Sequence, residues 1–465
     1  MKREFYLQPV LWAILNFSLP TFSFAQTIAG GNSHTIAVCN NNSLQTWGYN
    51  AFGELGNGTT DDSNIPALVN SLTGITSVAG GANHSLALKN DGTVWAWGWN
   101  SKGQLGNGNN VNSNIPSQVS GLTDITAIAG GYYHSIALKN DGTVWAWGKN
   151  LYGQLGNGSN TDSNVPVQVS GLAGIIAIAG GDGYSIALKN DGTIRAWGYN
   201  GSGELGNGNN TNSNVPVLIT SLTGITAISG GYFHALALKN DGTIWSWGFN
   251  NYGELGNGTN IASNIPVQVN SLTGIIAIAA GGEHSFALKN NGMVWAWGYN
   301  FFGQLGNGNN TASNVPLQVS GLNSIIDIAA GGNHSLALKN DGTMQTWGSN
   351  ATGELGNGTF NNSNIPVQVT GLCTIMIGIE EFTKQHFVSV FPNPFNFFTT
   401  IHLDTQLDKA ELNIFNIHGQ NIKKIKNISG QTIPFHRDNL PCGLYFIRLT
   451  QDDKVIATDK LVITD

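Results

Sequence analysis

From Gln26 to Leu372 the chain alternates short apolar runs with turn signals, and the pattern recurs seven times at a period of 50 residues. The second unit reads ITSVAGGANHSLALKNDGTVWAWGWNSKGQLGNGNNVNSNIPSQVSGL. A two-residue alternation marks a strand, and each unit holds four such runs. The first is I-T-x-I-A. The second, H-S-L-A-L-K, leads into N-D-G, a strong hairpin signal because both turn residues tolerate positive φ. The third is T-V-W-A-W-G and the fourth I-P-V-Q-V. Ser85 and Ala87 share one side of the second strand and Leu86 and Leu88 the other, so both faces of the sheet are expected to be buried. Pro66, Pro116, Pro166, Pro216, Pro266, Pro316 and Pro366 open the fourth strand, and proline there marks an outermost edge. Trp47, Trp97, Trp147, Trp197, Trp247, Trp297 and Trp347 hold one position in the third.

Four strands per unit and seven units predict an all-β protein, a seven-bladed β-propeller over 26–375. An open solenoid would call for capping units, and none is visible. In the first unit the equivalent of Ile75 is Ala25, so its innermost strand is expected to be short, near Gln26–Ala29. The segment Thr374–Ile379 is expected to pack against that blade and help close the ring, which brings Cys39 and Cys373 toward one seam.

The flanks read differently. Lys2 and Arg3, an apolar run over Val10–Phe17, and Ser23-Phe24-Ala25 form the pattern of a secretory signal peptide over 1–25. That run is too short to span a bilayer, which takes about 20 residues. Residues 376–386 form a linker. From 387 to 465 the period stops, Lys becomes common, and alternating runs predict a small β-sandwich.

Composition narrows the classes. Charged residues make up 10% of the chain and the net charge is −7. That excludes the basic footprint of a nucleic-acid binder. Removing 1–25 would leave the charge near −8, one unit further from that footprint. Three cysteines, Cys39, Cys373 and Cys442, are too few and too scattered for a disulfide framework or a zinc site.

W-G-x-N-x-x-G-(E/Q)-L-G-N-G followed by G-G-x-x-H-S-L-A-L-K-N-D-G resembles the regulator of chromosome condensation repeat family, a seven-bladed propeller. The resemblance spans about 350 residues, and members act as a guanine-nucleotide exchanger, as interaction modules and as secreted β-lactamase inhibitors. Fold alone therefore does not fix function. Phe391-Pro392-Asn393-Pro394 and Leu440-Pro441-Cys442-Gly443-Leu444-Tyr445-Phe446 resemble the type A C-terminal sorting domain of the type IX secretion system of Bacteroidetes. Cys442 stands where a small residue is more usual. The resemblance implies export by that machinery through 387–465, to the medium or the outer-membrane surface. An adhesive immunoglobulin-like module is the other reading of the same strands.

No catalytic constellation emerges, and no cofactor or metal is expected. His34, His84, His134, His234, His284 and His334 share one position, which Tyr184 takes in the fourth unit. Metal ligands must converge within about 2 Å of one ion. These side chains come from different blades, so they are expected to serve the structure inside each blade. Glu54, Glu204, Glu254 and Glu354 alternate with Gln104, Gln154 and Gln304. Glutamine is no base, so the shared task is that of an acceptor fixing a loop.

The units disagree where turns lie. After Trp-Gly come Tyr49, Trp99, Lys149, Tyr199, Phe249, Tyr299 and Ser349; three residues later come Phe52, Lys102, Tyr152, Ser202, Tyr252, Phe302 and Thr352. The turn before each His carries Tyr132-Tyr133, Asp182-Gly183, Tyr232-Phe233 and Gly282-Glu283. In an antiparallel meander these turns and loops share one face, opposite the N-D-G turns. The candidate ligand-binding rim is therefore Tyr49, Phe52, Trp99, Tyr132, Tyr133, Tyr152, Tyr199, Tyr232, Phe233, Phe249, Tyr252, Tyr299 and Phe302, and the same rings would also serve as covers for the loops beneath. Arg195, in place of a third-strand Trp, is expected to bring charge to that face. The expected function is a secreted or cell-surface, non-enzymatic binding module for an extracellular protein or glycan. The alternative is a guanine-nucleotide exchange factor; uninterrupted 50-residue units leave no room for the inserted wedge that the family's founding member uses, and a signal peptide removes a cytosolic partner.

Overall fold

The computed structural model describes residues 27–375, 388–415, 421–451 and 454–464. The expected signal peptide, the linker and residues 376–379 of the expected closing segment lie outside these ranges. The chain divides into two compact units, Met1–Gly378 and Ile379–Asp465.

The first unit is a propeller of seven antiparallel four-stranded sheets, each with its strands in sequence order from the axis outward. Blade two shows the plan: Ile75–Gly80, His84–Lys89, Val94–Gly98 and Ser113–Gln118. Alternation in the second strand buries both faces, because each blade is covered by a neighbour on either side. Leu86 and Leu88 join Ile128 and Trp147 in the seam toward blade three, while Ala87 joins Ile36 and Trp97 in the seam toward blade one. All seven third-strand tryptophans are completely buried. Near the axis the innermost strands of blades one to five end in glycine, and Ala280 and Ala330 take that position in blades six and seven. A Cβ on Gly80 would stand 2.5 Å from the Gly30 carbonyl oxygen, which explains the glycine there.

Closure follows the expected segment and adds a bond. Blade one begins with a three-residue strand, Ile28–Gly30. Ile375 pairs with Cys39 as Ile75 pairs with Lys89 in blade two. The Asn40 N–H donates to the Thr374 carbonyl at 2.8 Å, the counterpart of Asn90 to Gly74. The end of the ring thus restores the residue that blade one lacks. The reading of the cysteines needs correction: Cys39 and Cys373 form a disulfide, with Cα atoms 5.7 Å apart and a sequence separation of 334. Scattering in sequence is no distance in a closed ring.

In the second unit the described residues form five strands, Val388–Phe391, Phe398–Phe415, Asn421–His436, Gly443–Gln451 and Lys454–Ile463. Phe398–Phe415 pairs with three of the others, shifting register along its length. Phe395 bridges Ile463 in parallel, which brings the first segment beside the last strand. The sheet thereby wraps one core that includes Leu412, Ile414, Phe435, Ile447 and Leu461.

Candidate binding face

Six of the seven seams carry one hydrogen-bond unit. The Glu54 carbonyl accepts from Trp97 Nε1 at 2.7 Å and from Ser85 Oγ at 2.8 Å, both in the next blade. Ser85 Oγ in turn accepts from His34 Nε2 at 2.9 Å. Because the hydroxyl spends its proton on the carbonyl, the imidazole is fixed as the neutral Nε2–H tautomer. The same His-to-hydroxyl contact recurs for His84, His134, His234, His284 and, across the closure, His334 with Thr35. The histidines therefore tie blade to blade, which corrects the expectation that they act inside each blade. Burial lowers their pKa from 6.5 to about 3, or about 4 for His34. Tyr184 reaches further and donates to the carbonyls of Gly231 and His234, while Ala235 replaces the serine it has no use for. Among the described residues no group of three or more His, Cys, Asp or Glu converges as metal ligands do.

Seams of this kind hold the turns and loops of one face in register. Each rim loop is tied to the turn beside it: Tyr49 N–H to the Ser33 carbonyl, Trp99 to Asn83, Lys149 to Tyr133, Tyr199 to Gly183, and likewise around the ring. The Glu/Gln position fixes the loop as expected. Glu54 Oε2 accepts from the Phe52 N–H at 2.9 Å, and Gln154 Oε1 from Tyr152 N–H at 2.9 Å. In Glu54, Glu204 and Glu254 the other oxygen is buried without a partner. Burial raises these three carboxyls from 4.5 to about 7, so each is close to being a glutamine in its neutral form.

All thirteen candidate rings lie on this face, and ring contacts join them into three groups. Eight rings form one path from blade one to blade five: Tyr49, Phe52, Trp99, Tyr133, Tyr132, Tyr232, Phe233 and Phe249, with neighbouring centroids 4.4 to 6.3 Å apart. Tyr132 and Tyr232 meet across the mouth of a central channel of about 340 Å³. The Tyr232 hydroxyl donates to Asn32 Oδ1 of blade one, so the mouth is capped from three blades. Beneath the cap, backbone hydrogen bonds cross every seam in turn, including Asn32 to Gly81, Ala82 to Tyr132, Tyr132 to Gly181 and Gly332 to Gly31. Tyr152 and Tyr199 form the second group, 4.9 Å apart. Tyr252, Tyr299 and Phe302 form the third.

Most of these rings are half-buried against one another, and Tyr252 is exposed. Phe301, missed in the sequence, is 67% exposed and stacks nearly parallel to Tyr299. Its signal was available: the same position reads Ala51, Ser101, Leu151, Gly201, Asn251 and Ala351 elsewhere, as variable as the rim position beside it. The charge comes from other residues than expected. Arg195 stands opposite Ala187 and Leu218, three residues below the rim, at the level where its counterpart Trp95 lies under Lys89. Lys149, Asp182 and Glu283 instead bring charge to the turns and loops themselves. Lys149 Nζ lies 5.0 Å from the Tyr133 ring centre and 5.5 Å from that of Tyr152, bridging two ring groups. Burial raises the Asp182 carboxyl, an effect that Lys149 opposes, and burial raises Glu283. Burial and the neighbouring Tyr133 push Tyr132 up to about 12.

Among the described residues no helix is long and apolar enough to cross a membrane. The RCC1-like domain model matches residues 125–389, more than half of the chain. Models of the regulator of chromosome condensation (RCC1) repeat match within 26–138, and the secretion system C-terminal sorting domain matches 389–464. No curated protein matches. Among solved structures, human WBSCR16 superposes with a TM-score of 0.64 at 24% identity, over 70% of this chain and 94% of that one. Yeast RCC1 (Prp20), solved with Kap60, gives 0.64 at 22% identity, over 82% and 93%. The sorting domain directs a chain out through type IX secretion, to the cell surface or beyond. The chain belongs to the RCC1-like domain family and ends in a secretion system C-terminal sorting domain.

Proposed function

We propose that the protein is a secreted or surface-held, non-enzymatic binding module that recognises an extracellular protein or glycan through the aromatic rim. The observation that carries this reading is the band of thirteen rim rings, eight in one path across the channel mouth and the rest in the groups of Tyr152 and Tyr252, set on a scaffold that repeats almost without change. Rings already held edge to face by their neighbours lose little freedom on binding, which is what makes tyrosine and tryptophan efficient contact residues. The opposite face is uniform: Asp91, Asp141, Asp191, Asp241 and Asp341 each accept from the Thr two residues on. Such turns offer the same surface at nearly every blade.

The test is capture of a ligand from the natural surroundings on the immobilised full chain, followed by affinity measurement on a variant. Replacing Tyr152, Tyr199 and Tyr252 together by Ala is expected to cost about 2 kcal/mol or more in affinity. Melting curves separate this loss from the cost of unpacking Tyr152 and Tyr199, which are half-buried against each other. Unchanged affinity in this variant, with affinity lost on mutating the Asp-Gly turns, would place binding on the other side of the disk and end this reading.

A further inference from the structure

One acid stands on the axis of the propeller. The central channel of about 340 Å³ is lined by the innermost strands and the turns that follow them, whose residues there are almost all Gly, Ala or Ile. Among the described residues that line it, Asp327 is the only charged one. The same position reads Thr27, Ser77, Ala127, Ala177, Ala227 and Ala277 in the other blades. Asp327 pairs with Leu338 as Ser77 does with Leu88, so the fold itself has no need of a carboxyl here.

Nothing nearby compensates the charge. Oδ1 accepts from the Ile328 N–H at 2.8 Å. Among the described residues, Oδ2 has no hydrogen-bond partner and no ion pair reaches either oxygen. Asp327 is half-buried and open on its channel side. Burial raises its carboxyl from 3.8 to about 6, so it is mostly ionised at neutral pH and destabilises the fold in that form.

The two ends of the channel differ. The rim end is capped by Tyr132, Tyr232 and Asn32. At the other end the innermost strands begin beside the Asp-Gly turns, where the Ile125 N–H donates to the Gly92 carbonyl at 3.2 Å. Ile176 and Ile276, one position before the counterparts of Asp327, are 38% and 56% exposed, so solvent reaches the strands at this end. From Asp327 to Gly331 under the cap, the strand rises about 13 Å at roughly 3.3 Å per residue. The carboxyl thus stands toward the open end of a blind, mostly apolar bore.

We propose that this channel is a binding site for a small primary alkylammonium ion, with its charge on Asp327 and its alkyl chain along the bore. The site is separate from the rim and does not depend on the rim being a binding face. A lone negative charge selects a cation, and an ammonium is a compact one that needs a single carboxylate oxygen. Its chain would lie against Ile128, Ile178, Ile228, Ile278 and Ile328 and take apolar surface out of water. Other cations fit less well. A guanidinium fork matches two carboxylate oxygens, and Oδ1 is already engaged. Calcium takes six to eight oxygens, and among the described residues no three acids, histidines or cysteines converge to supply them.

The experiment titrates the full chain with n-butylammonium chloride at pH 7.5 and constant ionic strength, read by calorimetry and saturation-transfer NMR. Binding should saturate at one site. Asp327→Ala installs the residue of blades three to six, so it should melt no lower than the native chain. Asp327→Asn keeps the size and removes the charge. Each should weaken binding by about tenfold or more, as expected for a lost hydrogen bond to a charged group. Butylammonium should raise the melting temperature of the native chain and of neither variant. Asp341→Asn, which removes an exposed acid from a turn of the same blade, should leave binding within about twofold. Absence of saturable binding overturns the site, as does binding that both Asp327 variants leave unchanged. So does equal affinity for tetramethylammonium, which has no N–H to donate, or tighter binding of calcium chloride, which would make the channel a metal site.

Discussion

The seams and the rim of the propeller are only a few residues apart, yet they differ in what varies. In the seams the same His, hydroxyl, Trp and backbone carbonyl recur around the ring, with Thr35 for the serine at the closure, and the exception at Tyr184 comes with its own compensation at Ala235. On the rim the side chains change from blade to blade, from Tyr49 to Trp99 to Lys149 to Ser349 at one position. Packing explains the first: a fully buried tryptophan and a hydroxyl that must satisfy both a histidine and a carbonyl leave no room for change. Nothing in the fold demands the second. Tyr49, Lys149 and Ser349 all donate the same backbone hydrogen bond to the turn beside them, whatever side chain they carry. Stability is therefore concentrated in what the blades share, and recognition can be written into what they do not.

Acid is the strongest way to attack the shared part. Each seam histidine has a folded pKa of about 3 to 4 against 6.5 when unfolded. The unfolded chain thus binds more protons below pH 6.5, and the stability of neutral histidine, complete above 6.5, drains away as pH falls. The rim-loop glutamates act the other way. Their folded value of about 7 lies above 4.5, so their contribution is complete below 4.5 and is lost as pH rises toward 7. Six histidines outweigh them. Between pH 6.5 and 4.5 the net loss should be on the order of 5 kcal/mol, comparable to the whole stability of a domain. Denaturant unfolding at the two pH values measures it; equal stability at both would show that the seams do not hold their histidines neutral and buried.

Ring closure comes next in size. Six seams join blades continuous in the chain, whereas the seventh must join its two ends. Cys39→Ser with Cys373→Ser is expected to cost about 2–4 kcal/mol, since the bond removes a very long loop from the unfolded state. Non-reducing and reducing melts of the unmodified chain should differ by the same amount. No difference would mean that Ile375 and the hydrogen bond from Asn40 to Thr374 hold the seam alone.

These two attacks fall on features that the sequence revealed unequally. The propeller, the outermost proline strand, the rim loops and the segment Thr374–Ile375 were all legible, because a 50-residue period converts sequence position into position in a blade. The period hides whatever depends on wrapping around. The sequence brings Cys39 and Cys373 toward one seam, but their bond follows only once Ile375 pairs with Cys39 in the place of Ile75. The histidine partners look absent within a unit because they stand 51 residues on, one blade further. The joint change at Tyr184 and Ala235 carried that information. On the rim, residue types were readable but contacts were not: nothing in the period says that Tyr132 and Tyr232, two blades apart, meet over the channel. Arg195 misled because distance along a strand was taken for reach across it.

A gentler change tests the loops that support the rim. Glu54→Gln, Glu204→Gln and Glu254→Gln copy what blades two, three and six already have. At pH 8 the native carboxylates are charged with one oxygen buried and unpartnered, so each substitution should stabilise by about 1 kcal/mol. Near pH 4.5, where the folded carboxyls are protonated, the gain should vanish. A gain independent of pH would place its origin in packing rather than in the proton.

The smallest expected effect is the sharpest test of how far the seams are interchangeable. Tyr184→His alone shortens the side chain, so the carbonyls of Gly231 and His234 lose their shared hydroxyl and the new imidazole faces Ala235, which has nothing to offer it. A buried donor without a partner costs about 1–3 kcal/mol. Ala235→Ser alone adds a hydroxyl beside a tyrosine that already fills the seam, and overpacking of this kind typically costs about 1–3 kcal/mol. Together the two substitutions rebuild the unit found elsewhere: the serine can donate to the Glu204 carbonyl, which accepts only from Trp247 among these side chains, and can accept from the new histidine. The double variant should lie within about 0.5 kcal/mol of the native protein, so the coupling between the sites should nearly cancel the two single costs. Because Tyr184 also feels the charge of Asp182, the same cycle can be read in ligand affinity. Stability restored with affinity unchanged would confirm that seam and rim are independent. Stability restored with affinity lost would mean that blade four departs from the repeat for the sake of the face above it.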